Sequence, residues 1–293
     1  MRTTTALRRM LHQPGIIVAP GAYDCLTAKL IEREGFAAVY MTGGGTAVTR
    51  VGKADLGFTT MSEMLDNARA MTATIQVPLI ADADTGYGGP LNVYRTIREY
   101  EAAGVAALHI EDQVFPKRCG HLDGKEVVSI PDMVTKIHAA CDARTDDDLV
   151  IIVRTDALAV TGLDDTLRRC VAFAEAGADV LFVEALRNHT DIERVRQAVD
   201  VPLLFNFVEH GTSPMIPVPE LEQLGLKMVI FPGSIMLSVC TLAQRVLQEI
   251  RTHGTTASLL NDMVSVQDFF EIMGLQEMLD LADKWSQRTT MSP

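Results

Sequence analysis

Two hydrophobic patterns alternate along most of the chain. Short apolar runs, many of them β-branched, are typical of buried strands, and they fall at residues 16–19, 37–41, 79–81, 106–110, 150–153, 180–183, 203–205 and 228–231. Apolar residues recur at helical spacing between them, in segments 25–34, 61–74, 93–103, 131–143, 166–176, 190–199 and 219–224. Strict alternation implies parallel strands joined by crossover helices. Eight such units in about 230 residues predict a (β/α)8 TIM-type barrel.

A doubly wound sheet is the alternative fold, but no Gly-x-Gly-x-x-Gly turn follows the first strand. In a barrel, the chemistry lies at the C-terminal ends of the strands. Here these ends carry polar residues or glycine, namely Tyr23, Asp24, 42–45, Asp82, Asp84, Glu111, Asp112, Arg154, Glu184, Asn206 and 232–234. Each one alone could be a turn residue or a helix cap. Their occurrence at all eight ends predicts a single site on one face.

The chain continues beyond what eight units need. A further helix is predicted at 240–251, and segment 264–285 has apolar residues at helical spacing. Such a stripe has to cover the barrel or a neighbouring subunit. We expect one barrel domain over residues 1–293 whose C-terminal helices, 255–285, pack on or swap with a second copy. A homodimer or homotetramer follows.

Composition excludes several classes of partner. The formal net charge of −12 argues against nucleic acid or an anionic membrane surface, and no apolar run approaches the roughly 18–20 residues of a membrane span. The N-terminus lacks the apolar stretch of a signal peptide. The five cysteines have no zinc or dithiol spacing, and an odd count gives no support to a disulfide framework. We therefore expect a protein of the reducing cytoplasm.

Carboxylates follow two neighbouring strands of the predicted barrel. Asp82 and Asp84 flank one residue at a strand end, and Glu111 follows the next strand. Hard oxygen ligands of this kind suit Mg²⁺, with Mn²⁺ as the alternative ion; capping of the next helix is the other interpretation. The glycine-rich turn at 43–45 exposes backbone N–H groups that could bind a carboxylate or a phosphate, although no Gly-Lys-Ser/Thr motif is present.

The segment after the fourth strand combines two cations, a thiol and an imidazole: Lys117, Arg118, Cys119 and His121. Cations favour the thiolate form of a neighbouring cysteine. This segment is therefore a candidate for proton transfer, against the alternative of a solvated basic loop with an incidental cysteine. His121 could orient Cys119, bind a substrate carboxylate or cap the loop.

Five tracts stand at the predicted strand ends: Tyr-Met-Thr-Gly-Gly-Gly (40–45), Ala-Asp-Ala-Asp-Thr-Gly-Tyr-Gly (81–88), His-Ile-Glu-Asp-Gln (109–113), Lys-Arg-Cys-Gly-His (117–121) and Arg-Thr-Asp-Ala (154–157). Together they resemble the isocitrate lyase/phosphoenolpyruvate mutase superfamily. The resemblance spans about residues 14–285. It implies a (β/α)8 barrel whose C-terminal helix packs on a neighbouring subunit.

The resemblance also implies roles for individual residues. Asp82 and Asp84 would hold Mg²⁺, largely through water, with Asp55 and Glu111 nearby. Thr42, Gly43 and Gly44 would bind the carboxylate of a 2-oxo acid, aided by Tyr40 and Arg154. Residues 117–130 would form a mobile gate that carries Cys119 as acid/base, and Glu184 and Asn206 would line the far side.

Cysteine in the gate favours the carbon–carbon lyases over the phosphonate mutases, because a retro-aldol reaction leaves an enolate that needs a proton. Methylisocitrate lyases resembling this chain read Asn-Ile-Thr-Glu where it has Asn-Phe-Val-Glu at 206–209, and an arginine where it has Leu237. An unpaired carboxylate against Val208 and Leu237 would cost several kcal/mol. Residues 209–214 resemble instead the 2,3-dimethylmalate lyases and oxaloacetate hydrolases or decarboxylases.

The expected activity is Mg²⁺-dependent cleavage of a malate-type 2-hydroxy carboxylate, 2,3-dimethylmalate- or methylisocitrate-like, to pyruvate or glyoxylate plus a second carboxylate. Tyr40 and a metal-linked water are the candidate bases. An oxaloacetate decarboxylase or hydrolase is the main alternative. A phosphonate-processing enzyme and a catalytically silent scaffold are remoter alternatives.

Overall fold

Eight parallel strands form a closed barrel in chain order. The computed structural model describes residues 1–120 and 122–290, without the side chains of 288–290. The strands are β1 (Ile17–Ala22), β2 (Val39–Met41), β3 (Leu79–Asp82), β4 (Ala107–Glu111), β5 (Val150–Thr155), β6 (Val180–Val183), β7 (Leu203–Asn206) and β8 (Met228–Phe231). β8 pairs with β1, with Ile17 opposite Met228, and this pairing closes the barrel. The predicted (β/α)8 fold is confirmed.

Helices follow the strands, as the alternating pattern predicts. They are α1 (Thr3–His12), α2 (Cys25–Arg33), α3 (Gly43–Thr46), α4 (Met61–Thr74), α5 (Pro90–Ala102), α6 (Ile130–Ala143), α7 (Ala157–Val160), α8 (Leu163–Glu175), α9 (His189–Ala198), α10 (Val218–Gln223), α11 (Ser234–His253), α12 (Val266–Ile272) and α13 (Leu275–Thr290). A π-helix, Ala47–Val51, follows α3, and a 3-10 helix, Ala257–Asp262, precedes α12. None of the helices in the described part of the chain has the length and apolar character that crossing a membrane requires.

The barrel has an apolar layer on each side of its strands. One buried cluster fills the interior and includes Ile80, Val150 and Phe182. A larger cluster lies between the strands and the surrounding helices and includes Met64 and Phe173. Burial of each large side chain contributes about 1.5–3 kcal/mol. The two-sided burial explains why the strands are continuous apolar runs and not alternating ones.

Helix α1 was not predicted from the sequence. Its Leu7 and Leu11 are buried in the interior cluster of the barrel. Arg8 Nη1 lies 2.6 Å from Asp179 Oδ1, and Thr4 Oγ1 donates to Asp146 Oδ2 at 2.8 Å. Because these acids precede β6 and β5, α1 covers the N-terminal end of the barrel, opposite the strand ends that carry the candidate site.

The chain divides into two compact units, Met1–Met236 and the residues from Leu237 onward. In the second unit, the periodic segment 264–285 is two helices, separated by Gly274 with φ of 81°. The Ser265 side chain accepts from the Asp268 N–H and caps α12. Much of the predicted apolar stripe is exposed, including Phe270, Leu279 and Trp285.

Candidate active site

Four carboxylates gather where β2, β3 and β4 end. Asp82 is the last residue of β3, Asp84 follows two residues later, and Glu111 ends β4; all three are buried. Asp55 reaches the same place from the loop after β2, with its side chain 16% exposed. We call these four residues the acid side of the site. The structure thus brings together the four residues that the sequence assigned to a metal.

The ammonium of Lys117 lies among these carboxylates. Its Nζ is 2.6 Å from Asp55 Oδ1 and 2.8 Å from Asp84 Oδ1. Burial disfavours the charged ammonium, but the charges of Asp84, Glu111, Asp82 and Asp55 outweigh it and raise the pKa of Lys117 well above its usual value. The lysine is therefore charged here, in direct contact with Asp55 and Asp84 and under the influence of the charges of Glu111 and Asp82.

Backbone and side-chain donors fix the two aspartates. Asp82 accepts from the Gly43 N–H at 3.2 Å and from the Asp84 N–H at 2.9 Å. A Cβ on Gly43 would collide with the Asp82 carboxylate, so this position requires glycine. Thr59 Oγ1 donates to Asp84 Oδ2 at 3.1 Å. Asp84 itself has φ of 47°, a left-handed conformation that is uncommon for residues other than glycine. Such conformations are energetically unfavourable and are concentrated at functional sites.

Burial raises the pKa of both Asp82 and Asp84, against the lowering effect of Lys117. Burial also raises the pKa of Glu111 well above its usual value, despite Arg154 and Lys117 nearby. Glu111 Oε1 is buried with no hydrogen-bond partner among the described residues. Burial therefore disfavours the ionised form of these three carboxyl groups, and among the described residues Lys117 and Arg154 do not fully offset that effect.

A divalent ion fits the chemistry of this donor set. The donors are hard carboxylate oxygens, the ligands that Mg²⁺ and Mn²⁺ prefer, and Glu111 Oε1 is a buried acceptor without a donor. In the described residues, no three acidic, His or Cys side chains are already drawn together around one point as a metal would hold them. Lys117 is the cation that meets the acids in this arrangement.

Tyr40 and His109 form a buried pair beside the acid side. Tyr40 Oη lies 2.9 Å from His109 Nε2, and the same nitrogen is 3.6 Å from Asp82 Oδ1. Burial and the charge of Arg154 lower the pKa of His109 to about 3, so the imidazole is neutral. Burial and Asp82 raise the pKa of Tyr40 well above its usual value. Tyr40 is therefore a phenol in the protein without substrate.

Arg154, at the end of β5, is held by carboxylates on both sides. Its Nε and Nη2 donate to Asp156 at 2.9 and 3.1 Å, and Nη2 lies 3.1 Å from Glu184 Oε2. Glu184 in turn accepts from Asn206 Nδ2 at 3.1 Å. We call Arg154, Asp156, Glu184 and Asn206 the arginine side. The two sides meet where Arg154 Nε lies 3.3 Å from Glu111 Oε2.

The segment after Val114 passes over both sides. The Cys119 N–H donates to the Asp55 carbonyl at 3.1 Å. The next residue, Gly120, is buried and lies so close to Arg154 and Glu184 that an added Cβ would collide with both side chains. Cys119 is therefore placed between the acid side and the arginine side.

One predicted residue of this segment, Arg118, points away from the acids, and the position of another is not described. Arg118 is exposed, and its Nη1 donates to the Asp123 carbonyl at 3.0 Å, so its guanidinium does not join Lys117 among the acids. His121 lies outside the described residues. After β2, the glycine-rich segment 43–45 belongs to the short helix α3, where a turn was expected. Thr42 is the N-cap of this helix, and its side chain accepts from the Gly45 N–H. Gly44 lies beside Asp55.

Sequence reasoning did not single out three residues of this site. Thr59 supports Asp84, Asp156 supports Arg154, and Lys125 reaches Asp156 from the loop. Asp156 lies inside the quoted tract 154–157, which was the available signal. Thr59 and Lys125 lie in loops, where no periodicity indicates direction.

Comparison with known proteins places this geometry in context. A family model described as phosphoenolpyruvate phosphomutase matches residues 7–251. The chain is 41% identical over 286 residues to 2,3-dimethylmalate lyase of Eubacterium barkeri, covering 98% of this chain and 99% of the relative. It is also 41% identical over 277 residues to 2-methylisocitrate lyase of Aeropyrum pernix, covering 94% and 89%. Overall identity therefore does not separate these two lyases.

Solved structures agree with this assignment. Oxaloacetate acetylhydrolase in complex with the inhibitor 3,3-difluorooxalacetate matches with a TM-score of 0.93 at 37% identity, covering 97% of this chain and 98% of that chain. Phosphonopyruvate hydrolase in complex with oxalate and Mg²⁺ matches with a TM-score of 0.89 at 30% identity, covering 97% and 99%. The resemblance found in the sequence is confirmed. The chain belongs to the phosphoenolpyruvate phosphomutase family, within the PEP mutase/isocitrate lyase superfamily.

Proposed function

We propose that this chain is a divalent-metal-dependent carbon–carbon lyase that cleaves a malate-type 2-hydroxy carboxylate, with 2,3-dimethylmalate as the first candidate. The observation that carries the proposal is the position of Cys119. Its backbone is tied to Asp55, and the neighbouring Gly120 packs on Arg154 and Glu184. A proton donor between a cluster of acids and an arginine is what a retro-aldol cleavage of a dicarboxylate needs.

The arginine side would bind a substrate carboxylate. Arg154 is buried, and Asp156 and Glu184 fix its guanidinium, so the arginine is preorganised and loses little side-chain entropy on binding. A divalent ion on Asp82, Asp84, Asp55 and Glu111 would supply Lewis-acid stabilisation of negative charge on the 2-oxo acid.

The chain's own groups would then move the protons. Tyr40 holds its proton and can orient the 2-hydroxyl of the substrate, because neutral His109 is its partner. The 2-hydroxyl proton moves to a group on the acid side, and the C2–C3 bond breaks. The electron pair of that bond stays on C3 and forms the enolate of the departing carboxylate. Cys119 donates its thiol proton to C3, which gives the second carboxylic acid. The proton taken at the acid side later restores the thiol.

The substrate proposal rests on the residues that follow β7. Val208 offers no hydrogen bond to a distal carboxylate, and Phe207 packs on Phe231 with ring centroids 4.6 Å apart. In the proposal, these apolar residues lie at the distal wall of the site, where they would favour alkyl substituents over the third carboxylate of methylisocitrate. The matching chemistry is a malate with methyl groups.

A panel assay tests this proposal. Dimethylmalate, methylisocitrate, isocitrate and oxaloacetate are incubated with the protein and Mg²⁺, and the 2-oxo acids or oxalate released are measured. We expect pyruvate from dimethylmalate at the highest kcat/KM. Turnover of oxaloacetate with inactivity on every hydroxy acid would refute the lyase proposal.

Oxaloacetate hydrolysis is the second candidate, favoured by the match to oxaloacetate acetylhydrolase. Here water would attack the C2 carbonyl carbon, the C2–C3 bond would break, and Cys119 would protonate the same kind of enolate. The products, oxalate and acetate, distinguish this reaction in the same panel.

We also propose that two or more copies associate through the C-terminal helices. The apolar side chains there are exposed in the single chain, with Phe270 51%, Leu279 50% and Trp285 59% accessible. Apolar patches of this kind mark protein contacts. Light scattering coupled to gel filtration should give a dimer or tetramer; a monomer at micromolar concentration would contradict the proposal.

A further inference from the structure

We propose that Lys125 is a positioning residue. By contacting both Asp156 and the Gly120 carbonyl, it fixes the Cys119–Gly120 backbone relative to Arg154. This inference rests on the proposed function and gives an individual role to a residue that was predicted only as part of the gate, residues 117–130. Lys125 follows the candidate proton donor by six positions, yet its ammonium returns to the site. Its side chain is only 3% exposed.

The Lys125 ammonium makes two contacts that join separate parts of the site. Nζ lies 3.0 Å from Asp156 Oδ1, and it also donates to the Gly120 carbonyl. One contact is to the end of β5 and the other is to the residue after Cys119. The lysine thereby connects the loop to the strand that carries Arg154.

Asp156 is a fixed point for this connection. It is fully buried, and its N–H donates to Asp112 Oδ1 at 2.9 Å. Its carboxylate accepts from both Nε and Nη2 of Arg154. Asp112 is itself held by Arg169 Nη1 at 3.0 Å. A lysine bound to Asp156 is therefore bound to the same rigid frame as the substrate arginine.

Gly120 is the part of the loop that needs this control. It packs so closely on Arg154 and Glu184 that no side chain fits. A small displacement of Gly120 would move the preceding residue, Cys119, away from the reacting carbon. Displacements of about 1 Å at a catalytic group can cost about 10²-fold in rate.

The cost of burying an ammonium supports a positional role over simple packing. Removing a charged group from water is unfavourable, and an apolar side chain of similar length would fill the space without that cost. Lys117 already anchors the beginning of the loop among the acids. Lys125 anchors the part that follows Cys119, so the thiol lies between two fixed ends.

The test compares Lys125→Met, which removes the charge and keeps the length, with Lys125→Arg, which restores a cation. The matched control is Lys29→Met, which breaks the Lys29–Glu32 ion pair of 2.6 Å in α2, away from the site. For each protein, kcat and KM are measured on the substrate that the wild-type protein turns over. The rate of Cys119 alkylation by iodoacetamide is followed by peptide mass spectrometry, with and without oxalate and Mg²⁺.

We expect Lys125→Met to lower kcat by about 10- to 100-fold with KM changed less than about threefold. In the wild-type protein, oxalate and Mg²⁺ should slow the alkylation of Cys119, and we expect Lys125→Met to lose this protection. Lys125→Arg should recover most of both, and Lys29→Met should resemble the wild type. A Lys125→Met variant with the kcat and the Cys119 protection of the wild type would overturn the proposal. It would also be overturned if Lys125→Met lowered Tm and kcat and raised KM together, and Lys125→Arg restored none of them.

The alkylation readout separates this inference from the proposed function. If the wild-type protein turns over none of the hydroxy acids but Lys125→Met alone loses protection of Cys119, the lysine positions the loop and the substrate assignment is wrong. If turnover is present and protection is the same in both proteins, the positioning role is wrong and the lyase assignment stands.

Discussion

Asp82 and Arg154 end strands two apart in one barrel, yet their charges are compensated in different ways. On the arginine side, the cations Arg154 and Lys125 meet the carboxylates Asp156 and Glu184 in close contacts. On the acid side, the charges of four carboxylates act on the ammonium of Lys117, and Glu111 also lies 3.3 Å from Arg154 Nε. Among the described residues, each carboxylate of the arginine side contacts a cation, whereas the acid side has more carboxylates than cations.

The difference indicates a division of labour between the two sides. A compensated, buried network holds a guanidinium in one orientation, which suits recognition of a carboxylate. An uncompensated cluster binds a cation from outside and gains stability when it does. Cys119 lies between the two sides. Substitutions can therefore be chosen that change the acid side, the arginine side or the thiol between them.

The largest effect should come from withdrawing the metal that the acid side is proposed to bind. Dialysis against a chelator should reduce turnover below detection, and Mg²⁺ or Mn²⁺ should restore it. Calorimetric titration should show oxalate binding only with the metal present. Full activity in the chelator would mean that Lys117 alone satisfies the acids, and the contrast between the two sides would disappear.

Cys119→Ser should give the next largest effect, because it removes the acidic thiol and leaves both sides intact. We expect kcat to fall by about 10²- to 10⁴-fold, the range of general acid catalysis, while oxalate and Mg²⁺ bind as in the wild type. Cys240→Ser, at an exposed cysteine, is the control. An unchanged kcat would remove Cys119 from the mechanism.

Gly120→Ala tests the arginine side alone. The added methyl group would collide with Arg154 and Glu184, so the loop has to shift and kcat should fall about 10²-fold. Metal binding on the acid side, measured by electron paramagnetic resonance of Mn²⁺, should not change. Gly89→Ala, with open space around the new methyl group, is the matched control, and equal effects of the two substitutions would refute the close packing.

The smallest effect concerns stability at low pH. The pKa of His109 is lowered to about 3, mainly by burial, whereas an unfolded histidine has a pKa of about 6.5. Between these values the unfolded chain binds a proton that the folded chain does not, so stability falls as the pH drops below about 6.5. At pH 5 the loss is about 2 kcal/mol.

Urea denaturation of the wild type and His109→Gln at pH 7 and pH 5 measures this term. The wild type should lose about 2 kcal/mol more than the variant over that interval, since the other titrating groups are common to both. Equal losses would mean that His109 is protonated in the folded protein and that Tyr40 has a charged partner.

The positions of most residues on the two sides could be predicted from the sequence, because these residues stand at the ends of predicted strands. β6 and β8 lie where the apolar runs predicted them, and Asp82 and Glu111 are the last residues of β3 and β4. A strand that is buried on both faces of the sheet has a continuous apolar run. The polar residue at the C-terminal end of such a run lies at the face of the barrel that carries the site. Helix α1 escaped prediction because only Leu7 and Leu11 of it enter the core.

The cross-loop contacts could not be predicted. Lys125 and Asp156 lie 31 positions apart in two loops, and Lys117 and Asp55 lie 62 apart. Nothing in local periodicity specifies such pairs, since loop conformation is decided by the tertiary contacts the loops make. A basic segment near acids could be seen, but not which cation would reach which acid.

The pairing of β1 with β8 has a consequence for synthesis of the chain. Ile17 lies opposite Met228, so β1 leaves the ribosome long before its second partner exists. Until then one edge of β1 is open, and open strand edges promote association with other chains. Contacts of such large sequence separation also form slowly. β1 is therefore the segment that most needs protection from misassociation while the protein is being made.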